Sequence, residues 1–129
     1  MRYIIALSSL FIINIIFAQV QDDVKLDNEY YQNGEQEKAI GIYEKLAKDR
    51  RAIPSIHSNY FNLLVQNSAY KKAESYLKKT IKLIPGNNQY QIDLIYLYSI
   101  SGQEVQKKEE FDRLKSQVAN NQYQLNFLA

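Results

Sequence analysis

Residues 26–46 read LDNEYYQNGEQEKAIGIYEKL, and the spacing of apolar side chains in this stretch decides the fold class. Leu26, Tyr30 and Tyr31 precede Gly34, while Ala39, Ile42, Tyr43 and Leu46 follow it, and steps of three and four residues recur on both sides. That is the helical period, not the period of two that marks a half-buried strand. A glycine between two such runs reads as a tight turn. The stretch therefore predicts two antiparallel helices, and a pair this small buries its apolar stripe only when neighbouring pairs stack on it.

Working outward, a shift of 34 residues brings Gly34, Ser68 and Gly102 into one column. The same shift aligns Leu26 with Tyr60 and Leu94; Tyr30 with Leu64 and Tyr98; Tyr43 with Leu77 and Phe111; and Leu46 with Thr80 and Leu114. Each column is apolar or nearly so, which marks an internal repeat. Helices are expected at about 22–32, 36–49, 54–66, 70–83, 89–101 and 104–118, with Pro54 in a first turn and Pro85 and Gly86 closing the fourth helix. The expected fold is all-α: an α-solenoid of stacked antiparallel helix pairs, in three units at 20–53, 54–87 and 88–121. Tyr123, Leu125, Phe127 and Leu128 restart an apolar pattern. Residues 122–129 are therefore read as the start of a further repeat or a capping helix, and the chain as the front part of a longer protein.

On these residues the chain resembles the tetratricopeptide repeat family across 20–121. Leu26, Tyr30, Gly34, Ala39 and Tyr43 match the family pattern in the first repeat, Ala73 and Pro85 in the second, and Leu94, Tyr98, Gly102 and Phe111 in the third. Asp27, Phe61 and Ile95 stand where the family has a small residue, Lys107 replaces the second-helix alanine, and Arg51 and Ala119 stand at two closing-proline places. The resemblance implies a concave groove lined by the first helix of each pair. Its groove-facing places fall on Val24, Asn28 and Tyr31, on Ser58, Asn62 and Val65, and on Ile92, Tyr96 and Ser99. Amides and tyrosines of this kind suit an extended peptide. The competing reading has Val24, Val65, Ile92 and Tyr96 filling the stack instead. Some family members clamp a peptide's terminal carboxylates with lysine, asparagine and arginine; Asn28 and Asn59 are kept here, but Val24, Gln89 and Asp93 occupy the cationic places, which argues against that mode.

Met1 and Arg2 lead into an apolar run from Tyr3 to Phe17, followed by Ala18 and then Gln19, Gln21, Asp22 and Asp23. That is the layout of a secretory signal peptide, with cleavage expected after Ala18. The run falls short of the roughly 20 apolar residues of a spanning helix. Ile16, two residues before the cut, is larger than usual there and keeps an uncleaved anchor as the alternative. Export into a bacterial envelope or periplasm suits a chain of 129 residues with no cysteine, which must be stable without disulfides.

The composition leaves little material for catalysis or cofactors. There is no cysteine and a single histidine, His57, which is expected to be structural, so no catalytic residue, metal ligand or cofactor is assigned. Glu109 and Glu110 are read as a solvated face, and no glycine-rich phosphate loop occurs. The net charge of +2 gives no reason to expect nucleic acid. Charge is uneven, however: within 54–87, Lys71, Lys72, Lys78, Lys79 and Lys82 face only Glu74, a local net of +4. This basic face is expected to be solvated, an anionic membrane contact being the lesser reading. The expected function is a non-catalytic scaffold of the envelope that binds a peptide or protein partner. The alternative is the amino-terminal docking or sensing module of a larger envelope enzyme or signalling protein.

Overall fold

The computed structural model describes Asp22, Lys25, Leu26 and residues 29–128, with side chains described as far as Gln122. The expected signal peptide, Val24 and Asn28 lie outside the described residues. Helical backbone at Asp22, Lys25, Leu26 and 29–32 leads into a turn. Five helices follow: α1 (Gln36–Leu46), α2 (Ile53–Gln66), α3 (Tyr70–Leu83), α4 (Gln89–Ile100) and α5 (Glu104–Leu128). No strand occurs among the described residues. The all-helical reading of the spacing therefore holds, and most helix limits lie within a residue or two of the expected ones.

One turn geometry recurs three times. Gly34, Ser68 and Gly102 adopt left-handed backbone, with φ of 75°, 54° and 73°. The N–H groups of Glu35, Ala69 and Gln103 donate to the carbonyls of Tyr30, Leu64 and Tyr98 at 2.9, 2.8 and 2.9 Å. Gly34 and Ser68 also donate to Tyr31 and Val65 at 3.2 and 2.9 Å. These are the paired bonds of a Schellman ending, which satisfy carbonyls that a helix end would otherwise leave open. The next helix starts two residues later each time, at Gln36, Tyr70 and Glu104.

The turns between pairs are built from side chains. The first helix of the 36–49 expectation stops at Leu46, because Asp49 takes over the backbone locally. Asp49 accepts hydrogen bonds from the Arg51 N–H at 2.9 Å and from the Arg51 guanidinium at 2.8 and 3.1 Å. Short acidic side chains compete with helical bonding in this way. After α3, Pro85 cannot continue the helix, Gly86 takes φ 93°, and the side-chain oxygen of Asn87 accepts from the Gln89 N–H at 3.1 Å at the start of α4.

The chain divides within α2 into two compact units, 1–63 and 64–129, where its length suggests one domain. In the first unit, Ala39, Tyr43, Leu46, Ile53, Ile56 and Tyr60 are buried. The rings of Tyr43 and Tyr60 stack with centroids 5.2 Å apart. In the second unit α3 packs on α4 and α4 on α5. Ala73, Leu77, Leu94, Leu97 and Tyr98 form its core. Each such fully buried leucine contributes about 1.5–3 kcal/mol through the apolar area it removes from water.

Two expectations change at α5. The helix does not end near 118 but runs unbroken to Leu128, so 122–128 lies within α5. The cause lies in the sequence: no proline or glycine follows Gly102, and the closing-proline place holds Ala119, a strong helix former. The aromatic column also fails here. Tyr43 and Leu77 are fully buried whereas Phe111 is 55% exposed, and Lys107 stands where Ala39 and Ala73 are inside.

Candidate partner-binding surface

On α4 the helical steps from Ile92 to Tyr96 to Ser99 draw one stripe along the helix. All three are exposed, Ile92 by 47% and Tyr96 by 51%. Opposite them, Leu94, Leu97 and Tyr98 are buried, so the stripe is the face that α4 turns away from its own unit's core. On α2 the same steps link Ser58, Asn62 and Val65; Ser58 and Asn62 are exposed and Val65 is half-buried. Tyr31, in the leading helical segment, is half-buried. Together the two stripes carry two serines, one amide, one tyrosine and two branched aliphatics.

The elements that carry these stripes are held by polar links as well as by packing. Tyr98 donates its hydroxyl to Glu74 Oε1 at 3.0 Å, and Lys78 reaches the same oxygen at 2.7 Å. The ammonium of Lys78 and then the hydroxyl of Tyr98 hold the Glu74 carboxyl below its ordinary value, against the burial that opposes them. In the first unit, burial, helped by the charge of Glu44, pushes the Tyr60 phenol up to about 12. Arg51 lowers Asp49 through its side-chain bonds and then its backbone bond.

Other sequence-marked groups fall as follows. His57 is buried and lies parallel to the ring of Phe61 at 6.0 Å, the two being one helical turn apart on α2. Lys71, Lys72, Lys78, Lys79 and Lys82 are all exposed on α3. Among the described residues no group of three or more His, Cys, Asp or Glu is placed to hold a metal ion, and no helix is long and apolar enough to cross a membrane. The reading of Glu109 and Glu110 as one solvated face is corrected: Glu109 is exposed, but Glu110 is buried on the inner side of α5. Its carboxylate accepts from Arg113 at 2.7 Å and from the buried amide of Gln91 at 3.4 Å, which is why burial is tolerated.

Sequence reasoning missed one concavity in the second unit. The turn after α3 and the middle of α5 enclose a cleft of about 490 Å³. Six amide side chains line it: Asn87, Asn88, Gln91, Gln117, Asn120 and Asn121. Gln91 donates to Gln117 across it at 2.8 Å. The signal was present as two amide-rich runs, 87–89 and 117–122. Nothing in their spacing brings them together; only the unbroken course of α5 past 118 does.

Comparison with known protein families finds none that matches the chain, and comparison with curated proteins finds no matching relative.

Proposed function

We propose that this chain is an exported, tetratricopeptide-like α-solenoid that acts without catalysis, by holding a peptide or protein partner along the first helices of its repeats. The observation that carries this reading is the recurrence, every 34 residues, of one left-handed turn with the same hydrogen bond across it. Equal turns at equal spacing present the first helix of each pair in the same local setting, so each offers a stripe that a partner can contact. The stripes Ser58, Asn62, Val65 and Ile92, Tyr96, Ser99, exposed except for the half-buried Val65, supply the contacts. Amides pair with a partner's backbone while Tyr96 offers a rigid face. The leader from Met1 to Ala18 directs the chain to the bacterial envelope, with Gln19 as the mature start. The exposed lysines of α3 are read as a solvated face, an anionic membrane contact being the lesser reading.

The test is site-specific photocrosslinking in the producing cell, with the crosslinker at Asn62, at Tyr96 and, as an outer control, at Lys72. The same partner adduct is expected at Asn62 and Tyr96 and none at Lys72. No adduct at the first two positions, or an equal adduct at Lys72, overturns the groove reading. The intact mass of the envelope protein tests export: a start at Met1 removes the cleaved leader.

A further inference from the structure

One face of α5 breaks the repeat rule, and the leading helical segment breaks it in the complementary way. Tyr43 is covered in the first unit by Tyr60, the residue 17 positions later, at 5.2 Å. The residue 17 positions after Phe111 is Leu128, which lies on α5 itself, about 25 Å along the same helix axis. A continuous helix cannot fold Leu128 back onto Phe111, and Phe111 stays 55% exposed. The column of Tyr60 has a matching defect: Tyr60 and Leu94 are 4% and 1% exposed, but Leu26 is 41% exposed. Phe111 thus lacks the covering residue of its column, and Leu26, a covering residue by its column, stays exposed.

Charge pairs the same two surfaces. Beside Phe111 is a depression of about 230 Å³ lined by Ile95, Glu104, Lys107 and Lys108, with Glu104 ion-paired to Lys107, and Lys115 stands one turn further along α5, so lysine still exceeds acid on this face. The leading segment carries Asp22, Asp23, Asp27 and Glu29 against Lys25 alone, a net of −3. Two α5 faces brought together would set lysines against lysines, whereas the acidic segment complements them.

We propose that the Phe111 face of α5 receives the leading helical segment of a second copy of this chain, Leu26 covering Phe111 as Tyr60 covers Tyr43. The contact is heterologous, so each copy offers one donor and one acceptor surface and copies add in series. Its size is that of one helix pair, which places it among weak, concentration-dependent contacts. It is independent of the groove stripes and stands or falls without them.

Sedimentation velocity on the purified chain, from about 1 µM to about 1 mM, tests this. The mass is expected to rise with concentration through multiples of the protomer and to fall back as salt is raised. Phe111→Glu and Leu26→Glu are each expected to remain monomeric alone. An equimolar mixture of the two variants is expected to stop at a dimer, because only one intact pair of surfaces is left. Both residues are exposed, so their thermal melts should match the parent, and Lys108→Glu, which leaves the apolar contact intact, is expected to weaken association by about tenfold. A parent that stays monomeric at the highest concentration overturns the proposal. So does a Leu26→Glu variant that dimerises alone, since that is the result of two α5 faces pairing with each other, and so does a mixture that forms no dimer while the parent associates.

Discussion

The hydroxyl of Tyr98 on α4 donates to the carboxylate of Glu74 on α3, and that oxygen is also the one Lys78 reaches. Glu74 is the only acid among the five lysines of its repeat. It therefore serves two purposes: it ties two packed helices together and relieves like-charge repulsion along α3. Its pKa is lowered from 4.5, so the stability it contributes is complete above the ordinary carboxylate range and is lost as pH falls through its depressed folded value. Glu74→Gln is expected to flatten acid unfolding below that range. Tyr98→Phe should cost about 0.5–1.5 kcal/mol at neutral pH. Lys78→Ala should cost less, because its side chain is 55% exposed. Urea melts at neutral and acid pH check all three.

At the repeated turn, two substitutions are expected to have opposite signs. Ser68 has φ 54° and Gly34 has φ 75°, in a region where a side chain costs about 1–2 kcal/mol. Ser68→Gly removes that strain, but loses part of the gain to the larger freedom of glycine in the unfolded chain. A net stabilisation of about 0.5 kcal/mol is expected. Gly34→Ala adds the strain and should destabilise by about 1 kcal/mol, although nothing lies within 4 Å of the added carbon. Paired denaturant melts measure both. Destabilisation by Ser68→Gly would mean that the hydroxyl, not the backbone angle, matters there.

The turns were legible because a left-handed residue needs a small side chain, and Gly34, Ser68 and Gly102 announce it at equal intervals. The helices were legible because Ala39, Tyr43 and Leu46, like Ala73, Leu77 and Thr80, each follow the period of the face they bury. What could not be read was where that burial stops. Phe111 satisfies the same pattern and is exposed, since its cover depends on a helix break after 118 that the sequence lacks. Glu110 was misread for a related reason. Adjacent acids look alike in sequence, but one position on α5 turns 100° from the next, and only Glu110 points at Gln91. The candidate stripes were legible only through the resemblance. Spacing alone puts Ile92, Tyr96 and Ser99 on one face without saying whether that face is inside.

Alkali tests the burial of Tyr60 in the first unit; burial raises the Tyr90 and Tyr98 phenols of the second unit as well, so the comparison with Tyr60→Phe isolates it. Tyr60 titrates near 12 in the folded chain against an ordinary value of 10.0. The sign follows from the raised value: the contribution is whole below pH 10 and is lost as pH climbs toward 12, because the unfolded chain ionises first. A difference of that size corresponds to at most about 2–3 kcal/mol. Tyr60→Phe is expected to be less sensitive over this window, and one phenol fewer should ionise late in an absorbance titration. A parent in which every phenol ionises together near 10 would contradict the burial of Tyr60 against Tyr43.

Exposure separates the roles of the groove stripes from those of the core. Asn62 and Tyr96 are exposed, so Asn62→Ala and Tyr96→Ala should each shift stability by no more than about 0.5 kcal/mol. Leu97→Ala, one residue from Tyr96 but fully buried, should cost about 2–5 kcal/mol. Partner capture should move the other way: weakened at least about tenfold by Tyr96→Ala, as expected for an aromatic contact, and unchanged by Leu97→Ala at temperatures where that variant is still folded. Thermal melts and a titration with the crosslinked partner give the two readouts on the same proteins. If Tyr96→Ala lowers the melting temperature as Leu97→Ala does and leaves capture intact, the α4 stripe is packing, and a partner must be sought at the amide-lined cleft instead.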